Sequence, residues 1–121
     1  MTSFVATAGA VVTLDDTFLV MLAETEDGDT RIEFQRALTF DEQDKALGMD
    51  TYCLCTETGT HYGGAQSWRV SEGCLHLSLS AAAAKALRLA TEVSIALQLP
   101  DNTVDQVTAG IERVLNMPAS A

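Results

Sequence analysis

Basic residues are scarce in this chain: seven Lys and Arg stand against seventeen Asp and Glu in 121 residues, a formal net charge of −10. A field of that sign repels phosphate backbones and anionic headgroups, so neither nucleic acid nor a membrane surface is expected as a partner. It speeds encounter with a basic protein instead. Cysteine is scarce too, and its three copies are an odd number. That argues against the fully paired framework of a small secreted scaffold. The uncharged opening run, residues 1–14, is shorter than the roughly 20 residues a membrane helix needs. Its Ala-x-Ala spacings lack a basic segment and an apolar core ahead of them, so no signal peptide is expected and the expected location is cytoplasmic.

Reactive constellations are missing as well. Gly63-Gly64 is a lone doublet with no following phosphate-loop pattern, and reads as a bulge or a point of close backbone approach. Cys53 and His61 could face each other across a hairpin, but no helix N-terminus or basic neighbour flanks the thiol to acidify it. Cys53-x-Cys55 and Cys74-x-His76 invite a zinc reading. On strands one and three of a meander they would lie about 10 Å apart, too far for metal bonds of about 2.0–2.3 Å. The expectation is no catalytic residue, no metal and no cofactor.

What the chain does hold is apolar sequence, 47% of it, enough for one domain over residues 1–121 to bury about two-thirds of its unfolded surface. Residues 50–80 read as a central three-strand meander: a strand over 51–57, a return over 61–70, and a third over 74–79 with Leu75, Leu77 and Leu79 on one face. Ahead of it, residues 4–14 suit one strand with Gly9 as a bulge. Residues 18–23 (FLVMLA) are apolar on both faces, which predicts a strand covered on both sides or covered by a partner. Glu26-Asp27-Gly28-Asp29 suits a type I′ hairpin into an alternating strand over 31–38. Residues 39–50 could form one or two helical turns.

After the meander, Ser80 caps a short alanine helix, and Val93, Ile95, Leu97 and Leu99 alternate as a strand. Val104, Val107, Ile111, Val114 and Leu115 then form the stripe of an amphipathic helix over 103–116. The expected fold is α+β: about seven mostly antiparallel strands in meanders, the short Ala-rich helix, and the C-terminal helix packed on the sheet.

Nine of the seventeen acids fall within residues 24–50. Turns attract Asp for backbone reasons alone, so solvated loops are one reading. The other is an anionic docking surface for a basic partner, made by Glu26, Asp27, Asp29, Asp41, Glu42, Asp44 and Asp50, with Trp68 as an aromatic anchor beside Arg69.

The run D-T-Y-C-L-C-T-E-T-G-T-H-Y-G-G over residues 50–64, then L-H-L-S-L-S, the Ala/Leu helix, V-S-I-A-L-Q-L and the closing V-x-x-V-x-x-G-I-x-R-V-L resembles immunity protein family 10 of bacterial polymorphic toxin systems. The resemblance spans roughly residues 18–115, and its most specific piece is Tyr52, Gly59 and Tyr62-Gly63-Gly64. It implies a protein that binds and neutralises a cognate toxin domain without catalysis of its own. It carries no set of binding residues, so the acidic surface remains a reading of composition. A small acidic secretion-type chaperone, or another protein-binding module, is the alternative, and a homodimer stays open under either.

Overall fold

The alternating stretches form nine strands among the described residues, and these divide into two sheets. The computed structural model describes residues 2–26, 28–39, 42–47 and 51–120, apart from the side chain of Asp44. In chain order the elements are β1 (Thr2–Ala6), β2 (Ala8–Leu14), β3 (Thr17–Ala23), β4 (Arg31–Ala37), α1 (Glu42–Ala46), β5 (Cys53–Thr56), β6 (Thr60–Tyr62), β7 (Ala65–Ser71), β8 (Cys74–Leu79), α2 (Ala81–Leu87), β9 (Glu92–Leu97) and α3 (Asp101–Leu115). One sheet runs β1-β9-β8-β7 and the other β2-β3-β4-β5-β6. Every pairing is antiparallel except β1 with β9. The class is the expected α+β, with more strands and one more sheet.

The chain changes sheets at two places that look continuous in sequence. The run 4–14 is broken at Thr7, which donates its amide to the Ala23 carbonyl (3.1 Å) and its hydroxyl to the Glu24 carbonyl (2.6 Å). The run 61–70 is broken at Gly63 and Gly64, with φ of 72° and 101°. Only glycine adopts two such conformations in succession at low cost. A Cβ on Gly64 would also collide with the Cβ of Ala83 in α2. The doublet is thus a corner with a close approach rather than a bulge, and the expected central meander is shared between two sheets. Gly9 is not a bulge either: it pairs regularly with Leu22. The register slips instead between Ala65 and Ser67.

Turn chemistry also differs from expectation. The β3–β4 connection closes with the Glu24 amide on the Thr30 carbonyl (2.9 Å), a wider loop than a two-residue type I′ turn at Asp27-Gly28. The two-residue hairpin with both central φ positive lies at Glu72-Gly73, between Ser71 and Cys74.

One cluster of buried residues joins both sheets, α2 and α3. From the five-stranded sheet it takes Phe18, Val20, Leu22, Ile32, Phe34 and Leu54; from the other, Trp68, Leu75, Leu77, Leu79, Val93, Ile95 and Leu97. The predicted stripe of α3 is confirmed, with Val107, Ile111, Val114 and Leu115 buried. The helix crosses β2, β3 and β4 at Gly110, where an added Cβ would lie 2.6 Å from Val20 Cγ2. Ser80 caps α2 as its type and position required, accepting from the Ala83 amide at 3.2 Å. Among the described residues no helix is long and apolar enough to cross a membrane.

Candidate functional site: the outer face of the five-stranded sheet and its acidic end

Because the inner face of the five-stranded sheet carries α3 and the core, its other face is set by alternation and register. Leu19 on β3 lies opposite Val12 and Gln35 and, one and two strands further, in line with Cys53 and Tyr62; Met21 lies in the row of Ala10, Glu33, Cys55 and Thr60. FLVMLA is therefore covered on one face only: Phe18, Val20 and Leu22 are buried, whereas Leu19 and Met21 are half-buried on the outer side. Val12, Leu14 and Tyr62 are exposed on the same face. Down its middle, Glu33 accepts from Arg31 Nε and from Gln35 Nε2, both at 2.9 Å. This satisfies both oxygens of that carboxylate and leaves a flat surface, apolar on one flank and polar in the centre.

The acids split. Strand β4 is seven residues long. It places the β3–β4 loop and the β4–β5 connection at opposite ends of the sheet, roughly 20 Å apart. Among the described residues, Glu24, Glu26 and Asp29 therefore lie at one end of the sheet and Glu42 in the connection that leaves the other. At the first end Glu24, Glu26 and Asp29 are exposed. Glu57 joins them from the β5–β6 turn, accepting from the Arg31 amide at 3.3 Å. The cations near that end are Arg31, engaged on Glu33, and Arg88, just past the α2 carbonyl that the Thr56 and Thr58 hydroxyls bond. At the second end Asp15 and Asp16 turn between β2 and β3, Arg113 stacks 4.1 Å from the Phe18 ring, Arg36 Nε bonds the Val114 carbonyl at 2.6 Å, and Glu42 and Lys45 lie on α1 in the connection that leaves β4. The first end is the more anionic among the described residues. Asp27, Asp41 and Asp50 lie outside the described residues, as does the side chain of Asp44.

Trp68 belongs to neither group. It is 1% exposed, in the core, and its Nε1 donates to the Met117 carbonyl at 2.9 Å. The Trp68 carbonyl in turn accepts from Ser120 at 2.7 Å, so the residue ties the chain beyond α3 to β7. Arg69 points to the opposite, exposed side of the strand. The indole is a structural anchor, and the expected surface pair of Trp68 with Arg69 does not form.

Nor does a Cys53–His61 dyad. His61 pairs with Leu54 in register, on the inner side, and its Nδ1 is 3.2 Å from the Gly63 carbonyl. Cys74 and His76 are on the other sheet altogether. They line its polar outer face, where Ser67, Arg69, Ser78, Glu92 and Ser94 frame a shallow concavity of about 330 Å³. There Ser94 Oγ lies 3.1 Å from His76 Nδ1, and Ser78 donates to Glu92 at 2.8 Å. Among the described residues no group of three or more His, Cys, Asp or Glu is arranged to hold a metal.

Cys53-x-Cys55, read above as half of a zinc site too widely spaced to form, does come together as a pair. Cys53 and Cys55 bring their sulfurs to 3.6 Å on the outer face. The hydrogen bond from Cys53 holds the Cys55 thiol down, to about 6, against the opposing effect of burial and with help from the Thr60 hydroxyl. The same contact, and then burial, push Cys53 up. The signal was present in the i, i+2 spacing, which puts both side chains on one side of a strand. Local sequence showed no acidifying neighbour because that neighbour is the other cysteine.

No curated protein and no solved structure matches the chain. The model of the family described as Immunity protein 10 matches residues 5–105, a span holding the end of β1, all of β2 to β9 and most of the core just described. The chain belongs to the Immunity protein 10 family.

Proposed function

We propose that this immunity protein neutralises its toxin by covering the toxin's active site or substrate groove with the outer face of the five-stranded sheet. Family membership supports a toxin as the partner. The observation that carries the choice of surface is the uncovered apolar flank of Val12, Leu14, Leu19 and Met21, which runs along that face from the β2–β3 turn toward the anionic end of the same sheet. A desolvated apolar patch bordered by polar and charged residues is the usual anatomy of a specific interface, and here the patch is the flank made by β2 and β3. Glu24, Glu26, Asp29 and Glu57 steer a basic toxin surface toward this face, and the apolar flank supplies the buried area that holds it. No reaction is required of this chain.

The test uses the cognate toxin domain, isolated by affinity capture on this chain. Reversing Glu24, Glu26, Asp29 and Glu57 to lysine lowers the association rate by about tenfold at low salt and flattens its salt dependence. Leu19→Asp acts mainly on dissociation. A salt-insensitive association rate removes the electrostatic part and leaves occlusion standing. If Leu19→Asp and Val12→Asp also leave the affinity unchanged, the chosen face is wrong. An obligate dimer that binds the partner only when unfolded would favour a chaperone.

A further inference from the structure

We propose that Cys53 and Cys55 form a reactive dithiol toward hydroperoxides, with Cys55 as the attacking sulfur and Cys53 as the thiol that resolves the product into a disulfide within strand β5. The inference does not depend on which protein docks against the sheet.

The geometry comes first. Both side chains lie on the uncovered side of the sheet, with sulfurs 3.6 Å apart. Cys55 is half-buried and reachable, whereas Cys53 is 9% exposed. An accessible attacker beside a shielded resolving thiol is the arrangement of a redox-sensing pair. Thr60 Oγ1, 3.7 Å from Cys55 Sγ, adds a donor that favours the anion. Alternate residues on a strand have Cα atoms about 6.6 Å apart, at the wide end of the range that a disulfide spans. The bridge can therefore close with a pucker of β5. Strain of that kind raises the reduction potential, so small thiols reopen it.

The chemistry balances. The Cys55 thiolate attacks the outer oxygen of the peroxide, the O–O bond breaks, and the leaving alkoxide or hydroxide takes a proton. The product is Cys55 sulfenic acid. Cys53 sulfur then attacks the Cys55 sulfur, the S–O bond breaks, and the Cys53 proton leaves with the hydroxyl as water. Two electrons pass from the two sulfurs to the peroxide.

Reactivity at pH 6 tests the first half. About half of Cys55 is then thiolate, against about 0.3% of an ordinary thiol with a pKa of about 8.5. The more acidic sulfur is intrinsically weaker by roughly tenfold. Native Cys55 should still react with iodoacetamide about tenfold faster than N-acetylcysteine at that pH. The second half is tested with hydrogen peroxide and peptide mass mapping on the whole chain. Wild type should lose two hydrogens from the peptide holding both thiols and regain them with dithiothreitol. Cys53→Ser should instead trap a dimedone-reactive sulfenic acid on Cys55, and Cys55→Ser should show neither product. Circular dichroism confirms that each variant is folded. The proposal is overturned if Cys55 reacts no faster than the free thiol at pH 6. It is also overturned if peroxide leaves the 53–55 peptide reduced, or if Cys53→Ser gives no sulfenic acid.

Discussion

Replacing Trp68 by phenylalanine separates a core role from a contact role. The indole is 1% exposed and its N–H reaches the Met117 carbonyl at 2.9 Å, while the Trp68 backbone carbonyl accepts from Ser120. Phenylalanine keeps the backbone bond and most of the packing. It loses the side-chain hydrogen bond, about 1 kcal/mol net. It also loses some 40 Å² of buried ring, about 1 kcal/mol more. The expected destabilisation is about 2 kcal/mol, which in a chain of this size lowers the melting temperature by roughly 8 °C. Trp68→Ala, which empties the site, should cost about 3–5 kcal/mol. Urea unfolding followed by far-UV circular dichroism reads both, since the variants carry no tryptophan. Toxin affinity of the folded Trp68→Phe protein should stay within about twofold of wild type. An unchanged unfolding midpoint together with a large loss of affinity would refute the burial of this residue and restore it to the binding surface.

Gly64→Ala, strained at φ 101° and driven against Ala83, should cost about 3 kcal/mol in the same assay, whereas Gly63→Ala, with open space around it, should cost about 1 kcal/mol. Equal costs would mean that the corner does not press on α2. Gly110→Ala sets a helix-propensity gain of about 1 kcal/mol against a contact 2.6 Å from Val20 Cγ2. The contact should win, with a net loss of about 1–2 kcal/mol; a stabilised variant would mean that α3 rides higher on the sheet. Because the thiolate is the reactive form and Cys55 is held near 6, its alkylation rate should climb through pH 6 and level off above pH 7. A Cys53→Ala variant, which removes that donor, should move the rise toward higher pH, and a profile that does not move would show that Cys53 is not the cause.

The sequence by itself determined what rests on neighbours along the chain. Alternation marked Ile32 and Phe34, Leu75 to Leu79, and Val93 to Leu97 as one-faced strands, and all are buried on that face. The 3.6-residue stripe identified α3, and the position of Ser80 identified a cap. The resemblance over residues 18–115 agrees with a family match over 5–105. The period of a side-chain pattern reports which face is buried, but it carries no information on what covers that face or which sheet a strand joins. Two runs that read as single strands were for that reason divided between sheets at Thr7 and at Gly63-Gly64, and FLVMLA turned out to be half uncovered. The length of β4 separated acids that are adjacent in sequence, and only the folded chain brought Glu57 to Arg31, Trp68 into the core, and two thiols to 3.6 Å. Local preference acts over a few residues, whereas burial and charge at a surface depend on contacts between residues that sequence keeps far apart.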